Sequence, residues 1–132
     1  MKSFVLPCLV FVSTLTPVAA VSATWNSLSK HDGVEYLYDA DSIKGTTTDR
    51  KITIKINRVE DKNAKFKSTA VDFSADCQSN LLSYERIVSF EKLDLVGEQS
   101  ERAPTPDQKR FQPKPNTNFQ LYLTTACGSV NQ

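Results

Sequence analysis

Lys51-Ile52-Thr53-Ile54-Lys55-Ile56-Asn57 alternates apolar and polar residues without a break. A period of two marks a half-buried β-strand, with Ile52, Ile54 and Ile56 turned to a core and Lys51, Thr53, Lys55 and Asn57 turned to water. Upstream, His31-Asp32-Gly33 has turn character, and Val34-Glu35-Tyr36-Leu37-Tyr38 is rich in branched and aromatic residues that favour a strand. Asp39-Ala40-Asp41-Ser42 is expected to break that strand, with Ile43 tucking back against the sheet. Trp25-Asn26-Ser27-Leu28 is too short to assign. Downstream, Phe66 to Cys77 reads as a second long strand, with Val71, Phe73, Ala75 and Cys77 on its buried face. Leu81 to Leu93 could form a helix, but Tyr84, Arg86, Val88 and Phe90 opposite Ile87, Ser89 and Glu91 fit a sheet with both faces partly covered, and strands are the preferred reading. Leu93, Leu95 and Val96 are expected to continue the sheet after a bend.

The chain has 132 residues, with 16 basic and 15 acidic side chains, one histidine and three cysteines. Its start reads as a secretory signal peptide over 1–23: a basic Lys2, an apolar run from Phe4 to Thr14, and the small residues Val21 and Ala23 before a cut ahead of Thr24. A second cut fits after Ala20. Ser13, Thr14, Thr16 and Pro17 interrupt the run, which falls short of the roughly 20 residues that span a bilayer. No other stretch is apolar enough to cross one. Cys8 has Pro7 before it and only seven residues upstream, so it reads as filler of the apolar run and not as a lipidation site. Removing the 23-residue leader, with Lys2 and Cys8, leaves 109 residues, 15 basic and 15 acidic groups and two cysteines. Residues 24–132 are expected to form one domain, free in a periplasm or outside the cell. A formally neutral product lacks the positive excess that binds nucleic acid.

Glu98 to Pro115 differs in composition. It holds Pro104, Pro106, Pro113 and Pro115 with seven charged residues, and proline gives a sheet ladder no donor. The segment is predicted to be an extended surface excursion pinned by Phe111, either a plain connection or a binding loop. The period then changes. Phe119, Tyr122, Leu123, Ala126 and Cys127 fall at spacings of three and four, one face of a helix that Thr117 or Asn118 can cap and Gly128 can end. Cys77 and Cys127 thus lie on the buried sides of a strand and a helix. In an oxidising compartment they are expected to pair, closing a loop of 50 positions. The fold expected is α+β: an antiparallel sheet of five or six strands, with a C-terminal helix tied back by this disulfide.

No catalytic constellation emerges. His31 sits in a polar turn with no nucleophile arranged around it, and reads as a surface residue. Asp39 with Asp41, and Glu60 with Asp61, lack the glycine and oxygen spacing of a calcium loop and read as turn residues. There is no glycine-rich phosphate loop, so no enzyme activity, metal or cofactor is expected. Five lysines gather between 51 and 67: Lys51, Lys55, Lys62, Lys65 and Lys67. They read either as protection of a sheet surface against aggregation or as a site for an acidic or sulfated partner. Lys109, Arg110 and Lys114, interleaved with Phe111, offer a second anion-binding candidate.

The order of these pieces resembles the surface-adhesin E family of small exported bacterial proteins. The matching pieces are Trp25, Gly33-Val34-Glu35-Tyr36-Leu37-Tyr38-Asp39, Asp41-Ser42-Ile43, Val71-Asp72-Phe73-Ser74-Ala75-Asp76-Cys77, Phe111-Gln112-Pro113-Lys114-Pro115 and Ala126-Cys127-Gly128. They cover essentially all of 25–128. The resemblance implies a sheet with a disulfide-tethered helix, dimer formation, and attachment to host matrix or plasma proteins such as laminin and vitronectin. It assigns no binding residue. The leading expectation is an exported, non-enzymatic binder of another protein. The alternatives are a periplasmic accessory or structural subunit of an envelope assembly, and a small-ligand carrier.

Overall fold

The computed structural model describes residues 23–128. The expected leader and Cys8 lie outside the described residues, apart from Ala23. Among those described, six strands form one antiparallel sheet in chain order: β1 Trp25–His31, β2 Val34–Gly45, β3 Arg50–Arg58, β4 Ser68–Asp76, β5 Leu81–Phe90 and β6 Gln99–Arg102. A ten-residue helix, α1 Asn118–Cys127, closes one face. The meander needs no crossover, because each strand reaches its neighbour through a short connection.

The unassigned Trp25 segment becomes β1 because of the turn that follows it. Asp32 and Gly33 both have positive φ, 50° and 74°. Two consecutive left-handed residues make the tight turn whose twist matches a hairpin, and aspartate before glycine is its favoured sequence. The carbonyl of Gly33 also accepts from the amides of Val59 and Glu60, which binds this turn to the end of β3. A Cβ on Gly33 would lie 2.6 Å from Cβ of Glu60. Gly33→Ala is therefore expected to cost about 1–3 kcal/mol, from positive φ and crowding together, and urea unfolding measures it.

The isoleucine strand behaves as its pattern requires on one side. Ile52 pairs with Phe73 and Ile54 with Val71, and these four are at most 3 % exposed. On the other side the expectation fails: Lys55 and Asn57 are buried, 7 % and 5 % exposed. The cause lies in the segment after β5. Leu93–Leu95 does not continue the sheet but forms a 3₁₀ turn, with Asp94 and Leu95 at positive φ, folded over the polar face of β3. Asn57 donates to Asp94 Oδ1 at 2.8 Å and accepts from the Asp94 amide at 3.0 Å. Lys55 Nζ lies 3.3 Å from the same carboxylate and 4.6 Å from the centre of the Trp25 ring. Hydrogen bonding from Asn57 first, and then from Lys55, holds the Asp94 carboxyl below its ordinary range.

Two irregularities shape the rest. Between Asp39 and Lys44 the β2–β3 ladder is interrupted, and Thr53 N donates instead to the Ser42 hydroxyl at 2.8 Å. Between Asp72 and Phe73 the β4–β5 register shifts, so Tyr84 faces Phe73 while Arg86 faces Asp72. The simple alternation expected for 81–93 is broken there. Tyr84 joins the helix side, and Arg86 turns away to pair with Glu101.

The proline-rich segment opens as the edge strand β6, which ends before Pro104. It then makes a short turn at Pro106–Gln108 and returns as a bridge, where Phe111 and Leu82 exchange backbone hydrogen bonds of 2.8 Å each. Phe111 pins the excursion as expected. Thr117 caps α1 by accepting from the amide of Gln120 at 3.3 Å. The helix buries Tyr122, Leu123, Ala126 and Cys127 over β3, β4 and β5. Cys77 and Cys127 are joined by a disulfide, with Cα atoms 5.6 Å apart. None of the described helices is long and apolar enough to cross a membrane.

Candidate binding surface

The helix is shorter than the sheet it covers, and its start leaves aromatic side chains half exposed. A cleft of about 310 Å³ opens between Asn118 and the sheet, walled by Tyr36, Ile56, Tyr84, Phe119 and Tyr122. Each wall residue arrives from a different constraint. Tyr36 is paired with Ile56 across the β2–β3 ladder. The register shift in β5 turns Tyr84 inward, and the helical spacing of three places Phe119 and Tyr122 side by side. Phe73 forms the floor, with ring centres 4.6 Å from Tyr84 and 5.3 Å from Tyr122.

The aromatic wall continues outward. Phe119 packs edge-on against Phe111 at 5.3 Å, and Tyr84 lies 6.1 Å from Phe111. Beyond them a second opening of about 390 Å³ is lined by Phe111, Pro113, Lys114 and Asp107. Burial first, and then the neighbouring Tyr36 and Tyr84, push the Tyr122 phenol well above its usual range, so it stays neutral. Burial likewise raises Tyr84, against the opposing charge of Arg102. Among the described residues, no side-chain nitrogen or oxygen is both sealed from solvent and without a hydrogen-bond partner. The tyrosine hydroxyls of this wall are therefore either hydrogen-bonded or open to solvent.

The five lysines do not form one face. Lys55 is buried beneath Trp25 and Asp94. Lys51 is exposed but held by Asp49 at 3.0 Å and faces Glu85 at 3.9 Å. Lys62 and Lys65 are exposed and Lys67 half-buried at the far end of β3, in the connection to β4. In the second basic cluster, Arg110 contacts Asp76 at 3.4 Å. The amides of Ser79 and then Gln78, with Arg110, lower the Asp76 carboxyl. His31 is exposed beside Asp32, at 3.0 Å. Among the described residues no cluster of His, Cys, Asp or Glu could hold a metal ion. No sequence pattern announces the aromatic cleft, because it needs the shift between Asp72 and Phe73. Only the spacing of Phe119 and Tyr122 hints at it.

Comparison with known proteins gives the geometry its context. The family described as Surface-adhesin protein E matches residues 25–128. The chain belongs to the surface-adhesin protein E family. Its fold is similar to that of protein E from non-typeable Haemophilus influenzae, with a TM-score of 0.57 and 15% identity over 88% of this chain and 85% of that one. A second crystal form of Haemophilus influenzae protein E gives a TM-score of 0.54 at 14% identity, over 84% and 99% of the two chains. No curated protein matches the sequence. As a member of an adhesin family, the chain is a non-enzymatic protein. Within the surface-adhesin protein E fold, the aromatic cleft lies where the tethered helix begins.

Proposed function

We propose that this protein is exported and acts as an adhesin-like binder of a host matrix or plasma protein, through the aromatic cleft and the shelf that extends from it. Family membership supports the class of activity. The observation that carries the location is the half-exposed set Tyr36, Tyr84, Phe111 and Phe119. Tyrosine-rich surfaces supply large rigid contact area with hydroxyls to orient a partner, and such residues dominate the energetics of protein interfaces. Lys62, Lys65 and Lys67 are proposed to contribute long-range attraction to an acidic partner.

Immobilised laminin and vitronectin provide the test, with the chain from Thr24 onward as the soluble partner. Replacing Tyr36 and Tyr84 together by phenylalanine keeps the packing and removes two hydroxyls. Binding is expected to weaken about tenfold, equivalent to roughly 1.4 kcal/mol. Charge reversal at Lys62, Lys65 and Lys67 is expected to slow association and flatten its salt dependence. Binding that ignores the tyrosine change moves the site elsewhere. No binding to either protein favours the periplasmic accessory reading.

A further inference from the structure

The first described residues enter a charged cleft on the sheet face opposite the helix. It measures about 540 Å³, and Ala23 lines it beside Asp39, Asp41, Asp72, Glu85 and the two lysines Lys44 and Lys51. The chain is fixed there one residue later. Thr24 accepts at its carbonyl from the Ala40 amide at 3.1 Å and donates its hydroxyl to Asp41 Oδ2 at 2.9 Å. Trp25 pairs with Asp39 in the ladder.

The charges in this cleft do not balance. Lys51 is engaged by Asp49 and Glu85, and Asp72 accepts from the Thr53 hydroxyl at 2.7 Å. Asp39 receives only the amide of Asp41, at 3.0 Å. Among the described residues neither Asp39 nor Asp41 forms an ion pair, and Lys44 forms none either, so four carboxylates of the wall face two lysines. The nitrogen of Thr24 is bonded to the carbonyl carbon of Ala23, which is itself a wall of the cleft. Cutting that bond would leave an ammonium group on the residue whose hydroxyl already donates to Asp41 and whose neighbour Trp25 is paired with Asp39.

We propose that the α-ammonium group released on Thr24 by the expected cut after Ala23 is bound by Asp39 and Asp41. Hydrolysis adds water across the amide, leaving the Ala23 carboxylate on the leader and the ammonium on Thr24. While the leader is attached, position 24 carries a neutral amide and the cleft keeps its negative excess. After the cut, the new charge holds the start of β1, and with it the Trp25 ring over Lys55. Processing would thus add a charged anchor to a first strand that is already paired. The inference rests on the export reading, but its chemistry can be examined apart from it.

An α-amino group ordinarily titrates near pH 7.7–8.0. Bound to carboxylates its value rises, so the stabilisation is full below about pH 7.7 and is lost as pH climbs through the raised value. Two preparations beginning at Thr24 are compared, one with a free terminus and one Nα-acetylated. At pH 6 the acetylated form is expected to melt about 3–5 °C lower. At pH 10 the two should coincide, and D39N/D41N should erase the difference at pH 6. Equal melting at pH 6, or a difference that survives in D39N/D41N, overturns the ammonium site. The second arm is the intact mass of the protein recovered after export: a start at Thr24 supports the junction, and a start at Val21 overturns it. A chain that keeps its leader in that arm defeats the export reading, while the melting comparison still decides the cleft.

Discussion

Replacing Cys127 by serine is expected to lower the melting temperature by on the order of 15–25 °C. The bond joins positions 50 apart. Chain-entropy arithmetic for such a loop gives roughly 4 kcal/mol, and a domain of this size shifts by several degrees for each kcal/mol. Where the constraint acts matters as much as its size. A ten-residue helix holding two threonines is unstable alone, and Thr124 and Thr125 turn their hydroxyls back onto the carbonyls of Gln120 and Leu121. Its fixed points are the buried residues over the sheet and the disulfide at its last turn. Serine at 127 loses the bond and buries a hydroxyl at a site only 1 % exposed. Cys77→Ser should cost nearly as much, because the same loop opens. Thermal unfolding followed by circular dichroism, with and without reductant, measures both. A wild-type protein whose melting temperature is untouched by reduction would contradict the tether.

What the sequence discloses and what it conceals divide along a physical line. Alternation in 51–57 locates the central strand, and the spacing of Phe119, Tyr122, Leu123 and Ala126 locates the helix, because both patterns record one buried face. The cysteines can be paired because each lies on such a face. The pattern misplaces Lys55 because alternation states only that two faces differ, not that the polar one meets water. What covers it is the turn at Asp94, whose positive φ no residue type announces. The break of register at Asp72 is equally silent, since a bulge changes which side chains share a face without changing composition. The lysine cluster looks continuous in sequence, yet a strand of nine residues carries Lys51 to one end of the sheet and Lys62, Lys65 and Lys67 to the other. The aromatic cleft depends on the bulge, and so stays hidden although every residue in it is visible.

Truncating Phe73 is the comparable experiment inside the core. Phe73 is 1 % exposed and sits opposite Ile52, against the rings of Tyr84, Tyr122 and Phe119. Phe73→Ala is expected to cost about 3–5 kcal/mol, since the transfer of the ring and the cavity it leaves both count against the folded state. That is a large part of the total stability of a small domain. Phe73→Leu keeps most of the volume and should cost clearly less. The alanine variant also removes the floor of the aromatic cleft, so its effect should spread into α1 through Tyr122. Hydrogen exchange at the amides of Leu123 and Ala126 is expected to accelerate beyond what the global loss requires, while the Lys55 and Asp94 side of the sheet keeps its relative protection. Uniform acceleration everywhere would mean that helix and sheet open only together. A change confined to the helix would identify Phe73 as the contact through which the sheet holds the cleft in shape, with the disulfide fixing only its far end.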